Sequence, residues 1–285
     1  MTGTRTITFG GEITVPAIGQ GTWYMGEDPG AFDAEVRALR TGVDLGMTLI
    51  DTAEMYGEGG AERVVGEAVA GRRDEVVIVS KVYPHNAGLG SAKAACERSL
   101  DRLGTDYIDV YLLHWRGGVP LAETVQALQG LVDEGKIRRW GVSNLDTDDM
   151  AELWSLPGGS ECVTDQVLYH AASRGADYDL LPWCRERGLP VMAYCPLAQA
   201  GRLRGDLLRS PALTGIAADR GITPAQVALA WAIRDGNVAA IPKAVQEAHV
   251  RENAAALEVG LTPAELAAID EAFPPPRRRE PLDIV

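Results

Sequence analysis

VVIVSKVYPHNAGLGSAKAACERSLDRLGTDYIDVYLLHW, residues 76–115, decides the fold. It opens on a β-branched run, VVIVS (76–80), and passes through SAKAACERSLDRLG, whose apolar residues recur at helical spacing. It closes on a second apolar run, YIDVYLLH (107–114). A strand, a helix and a strand in about 40 residues form a βαβ unit, and runs this apolar suit parallel strands buried on both faces.

The alternation continues outward in both directions. Upstream lie AIGQG (17–21), a weaker strand, then AFDAEVRALRTGVDLG, TLID (48–51) and GAERVVGEAVAG. Downstream come LAETVQALQGLVDEG, RRWGVS (138–143), DTDDMAELWSL, CVTDQ (162–166), YDLLPWCRERG, PVMAYC (190–195), TPAQVALAWAIRDG, VAAIP (238–242) and finally NAAALEVG. Eight βα repeats predict one α/β domain over residues 1–285, a (β/α)8 TIM barrel. An open doubly wound sheet would often carry a Gly-rich phosphate loop after its first strand, and neither GxGxxG nor GxxxxGK[ST] occurs. ITF (7–9) and ITV (13–15) around Gly10-Gly11 read as an N-terminal β-hairpin, expected to cap the bottom of the barrel. Thr223-Pro224-Ala225-Gln226 and Thr262-Pro263-Ala264-Glu265 each pair a capping Thr with Pro at the first helical position and Gln or Glu three after the Thr, so both begin helices.

Charge and composition narrow the class. With 27 basic and 40 acidic side chains in 285 residues, the net charge of −13 argues against nucleic acid or an anionic membrane as partner. Gly (32) and Pro (16) stay short of the roughly 25–30% that marks low-complexity chains. Cys96, Cys162, Cys184 and Cys195 show no CxxC or Cys/His spacing, which predicts no metal site and a reduced, cytoplasmic compartment. His85 and His170 likewise read as structural or surface residues. The N-terminus lacks an apolar signal core, and VALAWAI (227–233) is far too short for a bilayer. A monomer or weak homo-oligomer is expected.

A barrel builds its site at the C-terminal ends of its strands, so the polar residues directly after each apolar run are the informative ones. They are Asp51, Lys81, His114, Ser143, Asn144, Gln166 and Lys243. Tyr56 follows Asp51 by five residues on EMYGEGG, a loop able to fold back over the mouth. Each has a plain alternative: Asp51 a helix cap, Lys81 a solvated lysine, His114 a satisfied core histidine. Their joint placement favours a proton-donating set. A phenol with an ordinary pKa of about 10 is a poor acid at neutral pH; a Lys81 ammonium would lower that value, Asp51 would hold the ammonium, and His114 could donate to the same oxygen. Such a set suits protonation of a carbonyl oxygen as its carbon accepts hydride.

DTAEMYGEGGAERVVGEA (51–68), Lys81, LLHW (112–115), GVSN (141–144), AYCPL (193–197) and IPKA (241–244) together resemble the aldo-keto reductase superfamily, in order from GTW (21–23) to about Asn253. GTWYMG, LLPWC and PLAQAGRLR are similar to the bacterial branch that includes methylglyoxal reductases. The resemblance implies NAD(P)H-dependent reduction of small aldehydes or ketones, 2-oxoaldehydes among them, with Asp51, Tyr56, Lys81 and His114 as the catalytic set and Tyr56 as general acid. It further implies that Tyr194 stacks on the nicotinamide and that Ser143, Asn144 and Gln166 bind its carboxamide. Leu197 and the rest of the PLAQAGRLR loop would lie over the pyrophosphate, with Arg202 and Arg204 reading as solvated rather than phosphate-bound; Glu252 and Asn253 would meet the adenine, and Trp23, Tyr83 and Trp115 would wall the carbonyl pocket.

Two positions depart from the family's NADPH pattern: Ala244 replaces a hydroxyl residue and His249 an arginine. NADPH through Lys243 is the expectation, with NADH open. If His249 meets the 2′-phosphate, preference for NADPH grows as pH falls from about 8 to 6, where imidazoles gain charge. Two alternatives stand beside the reductase: an NAD-linked sugar or alcohol dehydrogenase, and a nucleotide-binding regulatory barrel. The RRR at 277–279 reads as solvated, at a chain end that returns near the barrel.

Overall fold

A computed structural model describes residues 5–198 and 207–285. The chain begins with β1 (Thr6–Phe9) and β2 (Ile13–Pro16), paired antiparallel from Thr6↔Pro16 to Phe9↔Ile13. Gly10 and Gly11 have φ of 56° and 74°, the two positive values a type I′ turn demands. Ile7, Phe9, Ile13 and Val15 are buried while Thr6, Thr8 and Thr14 face solvent. The hairpin sits at the N-terminal end of the barrel, where Glu12 pairs with Arg139 and Gly10 lies against Val163.

Among the described residues eight parallel strands follow in chain order: β3 (Gln20–Gly21), β4 (Leu49–Asp51), β5 (Val77–Val82), β6 (Ile108–Leu113), β7 (Ile137–Ser143), β8 (Asp165–Leu168), β9 (Val191–Tyr194) and β10 (Val238–Ala240). The sheet closes on itself. Ile18 bridges Ala240, Gly19 N donates to Ala240 O at 2.8 Å, and Ala240 N donates to Ala17 O at 2.8 Å. The closing strand reads weakly in sequence for a steric reason. A Cβ at Gly19 would stand 2.6 Å from Leu49 O, and one at Gly21 2.6 Å from Ile241 O. Glycine therefore occupies positions where β-branched residues would otherwise advertise a strand.

The helices are α1 (Phe32–Asp44), α2 (Gly60–Val69), α3 (Ala92–Leu103), α4 (Leu121–Asp133), α5 (Thr147–Ser155), α6 (Leu180–Glu186), α7 (Pro211–Arg220), α8 (Pro224–Ala232), α9 (Glu247–Ala255) and α10 (Pro263–Ala272). Both capping boxes form, at Thr223/Gln226 and Thr262/Glu265. Three boundaries differ from the sequence reading. α7 is an additional helix, burying only Leu213, Ile216 and Ala217 and so lacking a clear apolar stripe. The helix expected over NAAALEVG is α9, which starts earlier and buries only Val250 and Asn253. β8 registers at Asp165↔Val142, three residues later than CVTDQ suggests. Among the described residues no helix is long and apolar enough to cross a membrane, and no cluster of His, Cys, Asp and Glu could hold a metal.

Candidate active site

The mouth of the barrel brings the sequence-predicted polar residues together. β4 ends on Asp51, β5 carries Lys81 near its end, and His114 follows β6 directly. Among the described residues, five that are not glycine have left-handed backbone, Tyr24, Glu58, Asn144, Cys195 and Ala198, and all lie on loops that follow barrel strands. Such strain concentrates where a fold holds functional groups in place. EMYGEGG uses it most heavily: Gly57, Glu58 and Gly59 have φ of 55°, 52° and 84°, which turns the loop tightly and leaves Tyr56 buried over Lys81.

Lys81 is fully buried, and its Nζ donates to Asp51 Oδ2 at 2.7 Å, Thr52 O at 2.9 Å and Tyr56 OH at 3.1 Å. Three acceptors use the three protons of an ammonium, so the geometry fits the charged form. Gln166 Nε2 holds the other oxygen of Asp51 at 2.7 Å. Burial pulls Lys81 below and Asp51 above their ordinary ranges, and the charge of each partner opposes that pull.

The phenol of Tyr56 is pushed well above its usual range, first by burial and then by the Asp51 carboxylate. This corrects the expectation that Lys81 lowers it. Loss of water, and after it the Asp51 carboxylate, outweigh the pull of the ammonium. Tyr56 is therefore a firmly protonated donor. His114 is held well below its ordinary value by burial and then by Lys81, so its imidazole is neutral, with one N–H to give. Its ring meets Tyr56 edge-on at 5.8 Å, and its Nδ1 has no hydrogen-bond partner among the described residues.

The other expected site residues divide. Asn144 Nδ2 donates to His114 O and to Ser143 Oγ, both at 3.1 Å, while its Oδ1 accepts from Tyr194 OH at 2.9 Å. Ser143 Oγ donates to Gln166 O at 2.7 Å. These four residues form one lattice beside Tyr56 and His114. A cavity of about 380 Å³ is lined by Asp51, Tyr56, Tyr194, Lys243, Ala244 and His249, among others. A second, of about 50 Å³, opens over Tyr56 and His114, walled by Trp23 and Trp115. Tyr83 stands behind that wall, edge-on to Trp115 at 5.9 Å. Glu252 and Asn253 lie on α9 outside the lining of either cavity, and Asn253 is buried. Leu197 packs partly buried against the core, while Arg202 and Arg204 lie outside the described residues.

Sequence reasoning missed Thr22 and Gln246 in the larger cavity and Met55, Ile284 and Val285 in the smaller one. Thr22 stands directly after β3, where the strand-end rule applied to AIGQG (17–21) points to it. Nothing in the sequence marks Ile284 or Val285.

Comparison with known proteins places this geometry. A model of the aldo/keto reductase family matches residues 17–273. Methylglyoxal reductase YeaE of Escherichia coli is 59% identical over 281 residues, 99% of each chain. Glyoxal reductase of Bacillus subtilis is 33% identical over 260 residues, 90% of this chain and 89% of its own. A crystal structure of an aldo/keto reductase from Klebsiella pneumoniae, in complex with NADP and acetate, superposes with a TM-score of 0.97 at 60% identity, covering 99% of this chain and all of that one.

Proposed function

The chain belongs to the aldo/keto reductase family, and we propose that it acts as a single-domain, NADPH-dependent reductase of small 2-oxoaldehydes such as methylglyoxal, with Tyr56 as the general acid. The observation that carries the reading is the hydrogen bond from Lys81 Nζ to Tyr56 OH, beside a cavity lined in part by a cation. Supporting it, the Escherichia coli relative is a methylglyoxal reductase and the Klebsiella pneumoniae structures were obtained with NADP and with NADPH.

The larger cavity fits a dinucleotide. Its lining offers a flat ring, Tyr194, and the phenol together with the ammonium of Lys243 and the imidazole of His249. Reduced nicotinamide supplies hydride when bound. The chain's own residues do the rest. Tyr56 OH, protonated until it is needed, and His114 hydrogen-bond the carbonyl oxygen and orient it. As negative charge builds on that oxygen it becomes a far stronger base than phenolate, and the proton leaves Tyr56. Lys81 Nζ then stabilises the phenolate through a charge-assisted hydrogen bond. Asp51, held by Gln166, fixes the ammonium in register. Trp23 and Trp115 narrow the space above the carbonyl and exclude water.

NADPH oxidation followed by absorbance with a panel of small aldehydes tests the reading. Methylglyoxal should be turned over, and Tyr56→Phe should lower kcat by about 10²–10⁴ while NADPH affinity stays within a few-fold. Substantial turnover in that variant removes Tyr56 from the acid's role.

A further inference from the structure

After α10 the chain returns across the mouth of the barrel and is fastened at several points. Arg174 Nη1 donates to Phe273 O at 2.7 Å. Arg279 sits among three carboxylates: Nη1 is 2.6 Å from Asp148 Oδ2, Nε 3.1 Å from Asp179 Oδ2 and Nη2 3.7 Å from Asp146 Oδ1. Ser173 Oγ donates to Asp283 Oδ2. Beyond Asp283, Ile284 and Val285 form one wall of the 50 Å³ cavity over Tyr56 and His114, and the Val285 backbone hydrogen-bonds Tyr194.

The clasp is built on the site's own framework. Asp146 caps α5 and lies two residues after Asn144, whose side chain holds Tyr194 and the backbone of His114. Asp179 directly precedes α6. The tail is thus tied to the loops that position the site, and the room left for a carbonyl compound depends on where those ties put Ile284 and Val285. A space of about 50 Å³ holds a few water molecules, or a molecule of a few heavy atoms.

We propose that Arg279 sets the size limit of the carbonyl pocket: it is a positioning residue that, through the carboxylates of Asp146, Asp148 and Asp179, keeps Ile284 and Val285 over the site and so selects small 2-oxoaldehydes over bulky ones. This rests on the reductase reading above. The chemistry of the clasp is ionic and more than a third exposed, so added salt weakens it.

The test compares wild type, Arg279→Met and Arg279→Lys with methylglyoxal and with the larger phenylglyoxal, at saturating NADPH. Arg279→Met should raise KM for methylglyoxal about tenfold with kcat within twofold, and should shift the ratio of kcat/KM toward phenylglyoxal about tenfold, the scale on which a pocket discriminates a small apolar group. Arg279→Lys should recover part of the discrimination. Ile284→Ala/Val285→Ala, which removes the wall directly, should reproduce the methionine variant. Sodium chloride should raise KM for methylglyoxal in wild type and leave Arg279→Met flat. Hydrogen exchange reads the tail without turnover: amides of 280–285 should exchange faster in Arg279→Met. Unchanged exchange, or equal changes in kcat/KM for both aldehydes, overturns the proposal. Absence of NADPH oxidation by wild type with either aldehyde overturns the reductase reading instead, and the exchange measurement still decides the clasp.

Discussion

Replacing Lys81 by Met separates the electrostatic account of the site from a merely structural one. The ammonium lies 3.1 Å from Tyr56 OH. At an effective dielectric of about 20, a unit positive charge at that distance stabilises a full phenolate by ~5 kcal/mol, and a half-developed one by ~2.5 kcal/mol. Loss of that stabilisation lowers kcat by ~10²–10⁴. The same substitution strands a carboxylate, since Asp51 loses its partner in a buried site, and an orphaned buried charge costs roughly 3–5 kcal/mol of stability. A slow, poorly folded variant would therefore prove little by itself. The double variant Lys81→Met/Asp51→Asn removes both charges and should recover most of the lost stability in a denaturant titration, because no unpaired ion remains. Its kcat should stay as low as that of the single variant, with NADPH affinity near wild type by fluorescence quenching. A double variant that regains folding and also regains turnover to within tenfold of wild type would falsify the claim that the ammonium stabilises the phenolate.

Two further outcomes concern the scaffold. Asp165 is fully buried, and burial outweighs the backbone hydrogen bonds from Leu145 and Gln166 and holds its carboxyl well above the ordinary range. The folded state therefore keeps a proton that the unfolded chain gives up near pH 4, and stability falls as pH rises from there through the raised value. Asp165→Asn should raise Tm at pH 7 by more than at pH 4; a pH-independent difference contradicts the assignment. At the seam of the barrel, Gly19→Ala drives a methyl to 2.6 Å from Leu49 O and should cost about 1–3 kcal/mol, read as a lower midpoint in urea. A midpoint equal to wild type would mean that the seam yields without strain.

The parts of this molecule legible in its sequence are those where position along the chain converts directly into position in space. Once eight βα repeats are counted, the residue after each apolar run must face the mouth, and Asp51, Lys81 and His114 need no further information to be brought together. Their charges do not follow so simply. Pairing Lys81 with Tyr56 gives one sign for the phenol's shift, while the carboxylate 2.7 Å from the ammonium and the loss of water give the other, and the second sum is larger. Glycine at 19 and 21 weakens the signature of the closing strand because close approach of backbone, not side-chain preference, chose those residues. The tail is the limiting case. Ile284 and Val285 reach the site on a tail held where Arg279 meets Asp146 and Asp148, more than 130 residues earlier in the chain, and Asp179, 100 residues earlier. No local pattern records such a partnership. Catalytic position is thus inherited from the repeat, whereas substrate size is set by contacts that only the folded chain creates, which is why the reaction class could be read before the structure and the pocket's limit could not.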